Sequence, residues 1–246
     1  MFDNDLLRDD YTFEQAESLQ IKYQQQIESQ KENKKINNTK LIKIVVGTDI
    51  SYYREDYIEY GVACAVVWNL NNRSIVETSF AREIIKFPYR PGFLGFRECK
   101  LLARVILKLK NKPELVICDG HGKIHSKRFG EAVQLGYALN LPTVGVAKNP
   151  FVGYSNWETM ERIKSNKTPV WAFENSNKAY SLMNELLGFA VCLKNGSKPV
   201  FISEGYKIDL ETAVSICLLA TVNHRQPEAL YLADHLSRKE AQKHIS

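Results

Sequence analysis

Apolar and polar positions change rhythm several times along the chain, and each rhythm assigns a kind of element. From about Thr12 to Glu32 a Gln- and Glu-rich stretch places apolar residues at Phe13, Ala16, Leu19, Ile21, Tyr23 and Ile27, which predicts a long amphipathic helix. Lys31 to Lys40 then reads as a polar linker. Three extended segments come next, Leu41 to Asp49, Gly61 to Leu70 and Ser74 to Arg82, with Asn71-Asn72 as a tight turn between the last two. They predict an antiparallel meander. Arg97 to Lys110 is helical by period, Leu115 to Asp119 a strand, Lys127 to Leu139 a helix and Thr143 to Ala147 another strand. Beyond Pro150 the pattern is less regular until hairpin-like strands at Leu187 to Leu193 and Pro199 to Ile202. Helices at Leu210 to Thr221 and Leu230 to His244 close the series.

Antiparallel strands followed by alternating helices and parallel-type strands predict an α/β fold, a mixed sheet flanked by helices. The order resembles the ribonuclease H-like fold. No internal repeat is visible, and the expected organisation is an N-terminal helix with linker over residues 1–40 and one domain over residues 41–246.

Composition narrows the class without choosing a function. The 246 residues, 44% of them apolar, suit an ordinary soluble globular protein. Apolar runs such as Leu186 to Leu193 and Ile216 to Val222 are too short to cross a bilayer, and the N-terminus lacks a signal-peptide pattern. The expectation is a protein of the cytoplasm, or of the nucleus if the source has one, without a membrane partner and acting as a monomer. Cys64, Cys99, Cys118, Cys192 and Cys217 are odd in number and form no C-x-x-C pair. They read as reduced, buried thiols. A net charge of +5 is a mild bias towards polyanions.

The chemistry begins where apolar runs stop on acids. Val116-Ile117-Cys118-Asp119-Gly120-His121-Gly122 ends a strand on a carboxylate between Gly120 and Gly122, where backbone can be approached closely. Ile44-Val45-Val46-Gly47-Thr48-Asp49 repeats the design. Either aspartate alone also fits a cap on the next turn, but two at neighbouring strand ends suggest a metal site. Glu98, from the first turns of its helix, could reach the same rim, and could equally be an exposed glutamate favoured by the helix dipole. Lys123, His125, Lys127 and Arg128 follow Asp119 directly. A solvated charged face is one account of them; phosphates meeting a metal is the other. Mg²⁺ prefers one or two carboxylates and keeps its waters. A phosphodiester, itself anionic, needs an activated water and relief of charge, which such an ion supplies.

At these residues the chain resembles the endonuclease V family. The resemblance is carried by Gly47-Thr48-Asp49-Ile50-Ser51-Tyr52, by Pro88-Tyr89-Arg90-Pro91-Gly92-Phe93-Leu94-Gly95-Phe96-Arg97-Glu98, and by Asp119-Gly120-His121-Gly122-Lys123-Ile124-His125. Arg128-Phe129-Gly130, Leu141 to Lys148 and Leu210-Glu211-Thr212-Ala213 extend it, over about Lys43 to Arg238. It implies a Mg²⁺-dependent endonuclease, with Mn²⁺ able to substitute, that recognises deaminated bases, chiefly hypoxanthine. Such an enzyme cuts the second phosphodiester 3′ of the lesion and leaves 3′-hydroxyl and 5′-phosphate ends, a DNA repair activity. By position, Asp49, Glu98 and Asp119 correspond to the metal carboxylates, and His125 and Lys148 to residues near the scissile phosphate. Pro88-Tyr89-Arg90-Pro91 matches a wedge whose aromatic fills the gap left by an extruded base. Gly92, Leu94 and Gly120 match the pocket for that base, which is cheap to extrude when mispaired.

The chain departs from the family in three places. Ser203-Glu204-Gly205-Tyr206 puts Tyr206 where relatives carry a histidine close to the metal, so an altered rate or metal preference is expected. His121 replaces a common glutamine. The late arginine- and proline-rich pattern survives only partly, with Tyr231 in place of an arginine; Asp234 remains a candidate for supporting the site, or a solvated helix residue. Two further readings follow, an inosine-specific endoribonuclease acting on RNA and an inosine-binding protein with weak activity. The expected partner is therefore deaminated DNA or inosine-containing RNA.

Overall fold

Strands that are apolar at every position belong between two helical layers, and strands that alternate belong where one face meets solvent. Both kinds occur in one sheet. The computed structural model describes residues 4–30, 35–173 and 184–244. Its strands are β1 (Ile44–Glu55), β2 (Ile58–Asn69), β3 (Ser74–Ile84), β4 (Leu115–Cys118), β5 (Thr143–Ala147), β6 (Lys167–Trp171), β7 (Leu186–Val191) and β8 (Val200–Glu204). Their order across the sheet is β3-β2-β1-β4-β5-β8-β7-β6. β1, β4 and β5 run parallel, and the other pairings are antiparallel. The α/β architecture of a mixed sheet flanked by helices is thus as the pattern predicts.

Helices α1 (Phe13–Ser29), α2 (Leu94–Leu107), α3 (Glu131–Leu139), α4 (Leu210–Leu219) and α5 (Glu228–Gln242) cover the sheet. β4 and β5 are buried at every residue. One face packs the β4, β5 and β8 side chains against α4 and the start of α5; the other packs β1, β2 and β4 against α2 and α3. The alternation of β1 sorts its residues between them. Val46 and Ile50 join the α2 side, whereas Gly47, Asp49 and Ser51 face α5. Gly47 is required there: a Cβ would lie 2.2 Å from the backbone carbon of Ala229. α5 therefore lies directly on β1, and Ser237 reaches Ser51 at 2.7 Å.

β1 does not stop at Asp49. It continues to Glu55 and turns through Asp56 and Tyr57, both at positive φ (46° and 65°), into β2. Asp49 stands just beyond the last parallel pair, Thr48 with Cys118, so it flanks the end of β4 from within a longer strand. β6 was absent from the sequence pattern because it is a short edge strand holding Pro169, a residue tolerated only at such edges. α2 starts at Leu94, ahead of the expected Arg97. α3 starts at Glu131, because residues 127–130 form a turn with Arg128 at φ 54°.

Thr12 begins α1 with a reciprocal cap: its hydroxyl accepts from Gln15 N while Gln15 accepts from Thr12 N. The helix then buries Ala16 beside Phe87 and Phe96, and Tyr23 beside Phe129 and Val133. Glu32 and part of the predicted linker lie outside the described residues. All five cysteines are buried and unpaired. Among the described residues no helix is long and apolar enough to cross a membrane.

Candidate active site

The C-terminal ends of β4 and β5 open into a recess lined by Asp49, Asp119, Lys148, Asp234 and Arg238, with Ser51 and Tyr52 beside them. Asp49 comes from the α5 face of β1, and Asp119 follows β4 directly. Lys148 follows β5, where its ammonium donates to Asp119 Oδ2 at 2.7 Å and lies 3.9 Å from Asp234 Oδ2. Arg238 Nε pairs with Asp234 Oδ1 at 2.7 Å, and Ser237 Oγ donates to Asp49 Oδ2 at 3.3 Å. Glu98 approaches from the other face of the sheet, as the fifth residue of α2. Its Oε1 accepts from the Tyr52 hydroxyl at 2.5 Å. Arg97, stacked over the Tyr52 ring, donates to Phe87 O and pairs with Glu59.

These acids disturb one another. Burial, and then the neighbouring Asp119, Asp234 and Glu98, push Asp49 up to about 8. Burial is also the main reason that Glu98 rises to about 7, with the Tyr52 hydrogen bond acting against it. Glu131, the first residue of α3, is fully enclosed and raised well above the usual carboxylate range by burial and by Glu98 and Asp119. An all-oxygen, net-negative donor set of this kind fits a hard divalent cation. Among the described residues no group of three His, Cys, Asp or Glu side chains stands close enough together to hold a metal ion; Asp49, Asp119 and Glu98 would hold one only with waters completing its coordination.

A second cavity, of about 290 Å³, adjoins the recess and shares Asp119 and Lys148 with it. One wall is the loop from Tyr89 to Gly95; the other is built from Gly120, His121, His125, Glu131 and Phe151. Gly92 sits at φ +87°, where a side chain would be strained. Its carbonyl accepts from both His125 Nε2 at 2.9 Å and Gln20 Nε2 of α1 at 2.7 Å. Tyr89 projects from this rim with 68% of its surface exposed. Arg90 lies over the Phe13 ring, which ties the rim to α1.

His125 is buried, and its Nδ1 accepts from Lys127 N while Nε2 donates to Gly92 O. With both nitrogens engaged it shapes the wall of the cavity that Asp119 and Lys148 also line. Burial lowers both His125 and His121 to about 4, so both rings are neutral. Leu94 and Gly120 line the cavity, and so does Pro91 of the wedge segment; Pro88 is not among its lining residues. Gly122 belongs elsewhere: a Cβ there would strike Glu204 O at 1.9 Å, so the glycine serves the packing of its turn against β8. Lys127 pairs with Glu17 and Arg128 with Glu185, while Lys123 pairs with Glu204. The turn at residues 127–130 directs these cations towards α1 and β7, away from the acids.

Tyr206 corrects the sequence expectation most clearly. Its N–H donates to Thr143, at the start of β5, whereas Lys148 follows the end of that strand. Five residues of strand separate the two by about 16 Å. The Tyr206 ring packs edge-on against Tyr137 and lines a separate cavity. The sequence reading also missed Glu131, Tyr52, Ser237 and Arg238, and undervalued Asp234. A helical glutamate or serine carries no signal of this kind until the packing brings its helix to the strand end.

The model of the family described as Endonuclease V matches residues 22–235. An Endonuclease V from Clostridium acetobutylicum is 36% identical over 195 residues, covering 78% of this chain and 79% of that protein. The crystal structure of Endonuclease V from Streptomyces avermitilis superposes with a TM-score of 0.80 at 30% identity, over 96% of this chain and 95% of that one. Endonuclease V from Ciona intestinalis, crystallised with a 24mer DNA containing an inosine followed by a ribo-adenosine, gives a TM-score of 0.75 at 28% identity, over 92% and 96%.

Proposed function

The chain belongs to the endonuclease V family and is a nuclease; from that premise we propose that it recognises deaminated bases, chiefly hypoxanthine, and hydrolyses the second phosphodiester 3′ of the lesion. The products are 3′-hydroxyl and 5′-phosphate ends, and the role is DNA repair by a monomer. One observation carries the reading: a cavity with a glycine rim and an acidic recess share Asp119 and Lys148. An extruded base and the backbone beside it can therefore occupy adjoining spaces at once.

Asp49, Glu98 and Asp119 would hold Mg²⁺, or Mn²⁺ in its place, and Asp234 would support them. When bound, the ion relieves charge on the phosphate and favours formation of the nucleophile from water. The remaining roles belong to the chain. Lys148 holds a fixed positive charge at the boundary of the two spaces, where negative charge develops. His125 and Gln20 fix the Gly92 carbonyl and so the shape of the rim. Tyr89 fills the gap left by the base. The nucleolytic machinery lies within residues 41–246, and the segment before it braces the rim.

Incubation of the protein with a duplex carrying one deoxyinosine, with Mg²⁺ or with a chelator, tests this. A single nick that maps to the second linkage, requires the metal and vanishes when adenine replaces hypoxanthine is expected. Binding without a nick across several divalent metals would instead establish an inosine-binding protein. Because the Ciona ligand carries a ribonucleotide after its inosine, matched strands with ribose or deoxyribose at that position, and a full RNA strand, belong in the same experiment. Faster turnover of the RNA would favour the endoribonuclease reading.

A further inference from the structure

Three rings stand in nearly parallel planes along the first half of α5 and the loop before it. His224 and Tyr231 have their centroids 3.4 Å apart and their planes within 10°. The His235 plane follows that of Tyr231 within 7°, at 6.4 Å. Glu228 holds the loop end of this series in place: its Oε2 lies 2.6 Å from His224 Nδ1, and its Oε1 accepts from the backbone N–H groups of Val222, Asn223 and His224. At the other end His235 is exposed.

The series is continuous with the recess. Tyr231, Asp234, His235 and Arg238 occupy one face of α5, at spacings of three, four and seven residues, and Asp234 and Arg238 line the recess. At the loop end Arg225, next to His224, donates to Lys148 O at 2.9 Å and to Pro199 O at 2.7 Å, which fastens the loop to the boundary of recess and cavity. The charge there suits a polyanion. From His224 to Arg238 the acids are Glu228 and Asp234, the first buried and committed to the loop, the second paired with Arg238. Arg225, Arg238 and Lys239 supply the positive charge. Flat rings beside cations are a recurrent means of holding unpaired bases whatever their sequence. Tyr231 stands where the family pattern has an arginine, so this chain offers a ring in place of a charge.

We propose that His224, Tyr231 and His235 form a stacking platform for unpaired bases of the cleaved strand on the 3′ side of the cut. The inference rests on the function proposed above, which fixes the direction of the strand. With the lesion base in the cavity and the second linkage 3′ of it in the recess, the strand continues on the side of the recess that the cavity does not share. Asp234 and Arg238 line that side and not the cavity, and Tyr231 and His235 adjoin them. Bases there extend the series of rings while their phosphates meet the cations. Every base has a flat face, so the platform anchors the strand without regard to sequence and leaves lesion selectivity to the cavity.

The test is single-turnover cleavage, with Mg²⁺, of single strands carrying one deoxyinosine, at varied protein concentration so that half-saturation is measured. One strand keeps all its bases, a second is abasic at the first few nucleotides 3′ of the cut, and a third is abasic at as many nucleotides 5′ of the lesion. The wild type should need about fivefold to a hundredfold more protein for the 3′-abasic strand than for the intact one, the range for losing one stacked base. Tyr231→Ala should bring that ratio to within about twofold of unity, His235→Ala should reduce it, and Tyr231→Trp should retain it. The 5′-abasic strand should respond alike in every variant. Thermal unfolding checks the fold, and the ratio cancels any general loss of affinity. His235→Ala alters an exposed side chain, so it decides the matter if Tyr231→Ala does not fold. A wild type indifferent to the 3′ bases, or alanine variants that keep its ratio, overturns the platform while the functional reading stands. No nick in the intact inosine strand overturns the functional reading, and the platform with it.

Discussion

Replacing Asp49 with asparagine should raise the stability of the metal-free protein and abolish its cleavage, a pairing that an aspartate with a purely structural task does not give. Burial and three acidic neighbours carry Asp49 from 3.8 to about 8. The folded state thus binds a proton that the unfolded chain releases. Stability from this group is complete below about pH 4 and is lost as pH rises towards 8. Taken at face value the loss is about 4 kcal/mol at pH 7. Asp49 keeps some contact with solvent, which screens the repulsion and brings a working figure to about 2 kcal/mol. Asparagine keeps the carbonyl that accepts from Ser237 and carries no charge to desolvate.

For a chain of this length about 2 kcal/mol corresponds to a rise in Tm of about 4–8 °C. The assay is thermal unfolding of both proteins in chelator, from about pH 5 to about pH 8. The gap should widen steadily as pH rises. Added Mg²⁺ should then close it, because only the wild type gains binding energy at the recess. An Asp49→Asn protein no more stable than the wild type at pH 8, or a gap that does not change with pH, would refute the electrostatic account of the recess.

Lys148→Met should lower the single-turnover cleavage rate by about 10²–10³, the loss usual for one preorganised charge at a reacting centre; a loss below about fivefold would remove it from the chemistry. Tyr89→Ala, at an exposed site, should leave Tm within about 1 °C and reduce the ratio of cleavage on inosine to that on undamaged strands; equal loss on both would refute a wedge. Tyr206→His should change the cleavage rate and Mg²⁺ dependence by less than about twofold, because about 16 Å of strand separates it from Lys148. With His121 and His125 lowered to about 4, the acidic limb of the pH–rate profile should come from carboxylates that compete for protons and metal. Raising Mg²⁺ should move that limb to lower pH, whereas a limb that stayed near pH 6.5 would point to a histidine.

The sheet was legible in the sequence wherever burial set the pattern. β4 and β5 are enclosed on both faces and appear as unbroken apolar runs, and the Asn69 side chain caps the turn that Asn71-Asn72 announces. Elsewhere the signal was weak for identifiable reasons. Asp56-Tyr57 makes a two-residue turn with both residues at positive φ, a conformation usually marked by Asn-Gly or Asp-Gly. Without that mark, and with an acid at Asp49, the apolar run alone ends the first strand too early. Among the described strands β6 pairs with β7 at the sheet's edge, with one further bridge from Trp171 to Tyr154, so residues 167–171 need no apolar rhythm to be a strand.

The site divides along the same line. Asp49 and Asp119 stood out because a carboxylate at the end of an apolar run has few other reasons to be there. Glu98, Glu131 and Asp234 each sit on a helix, where an acid normally faces water, and only the close approach of helix to sheet turns them inward. Gly47 admits the backbone of α5 beside β1, and Gly120 leaves the space that Glu131 fills. The glycines were visible, but what they made room for was not.

The balance of charge around the recess follows from these placements. Asp49, Glu98, Asp119, Glu131 and Asp234 act on one another, with Lys148 and Arg238 as the cations among them. The two histidines of the cavity are neutral, and the basic run after Asp119 is spent on Glu17, Glu185 and Glu204. A net charge of +5 for the whole chain therefore draws a polyanion to the molecule without making the recess hospitable to a phosphate. A divalent cation bound there would supply what is missing, by compensating the acids and by giving a phosphate a partner. Under the proposed function, binding at the recess and reactivity would depend on the same ion.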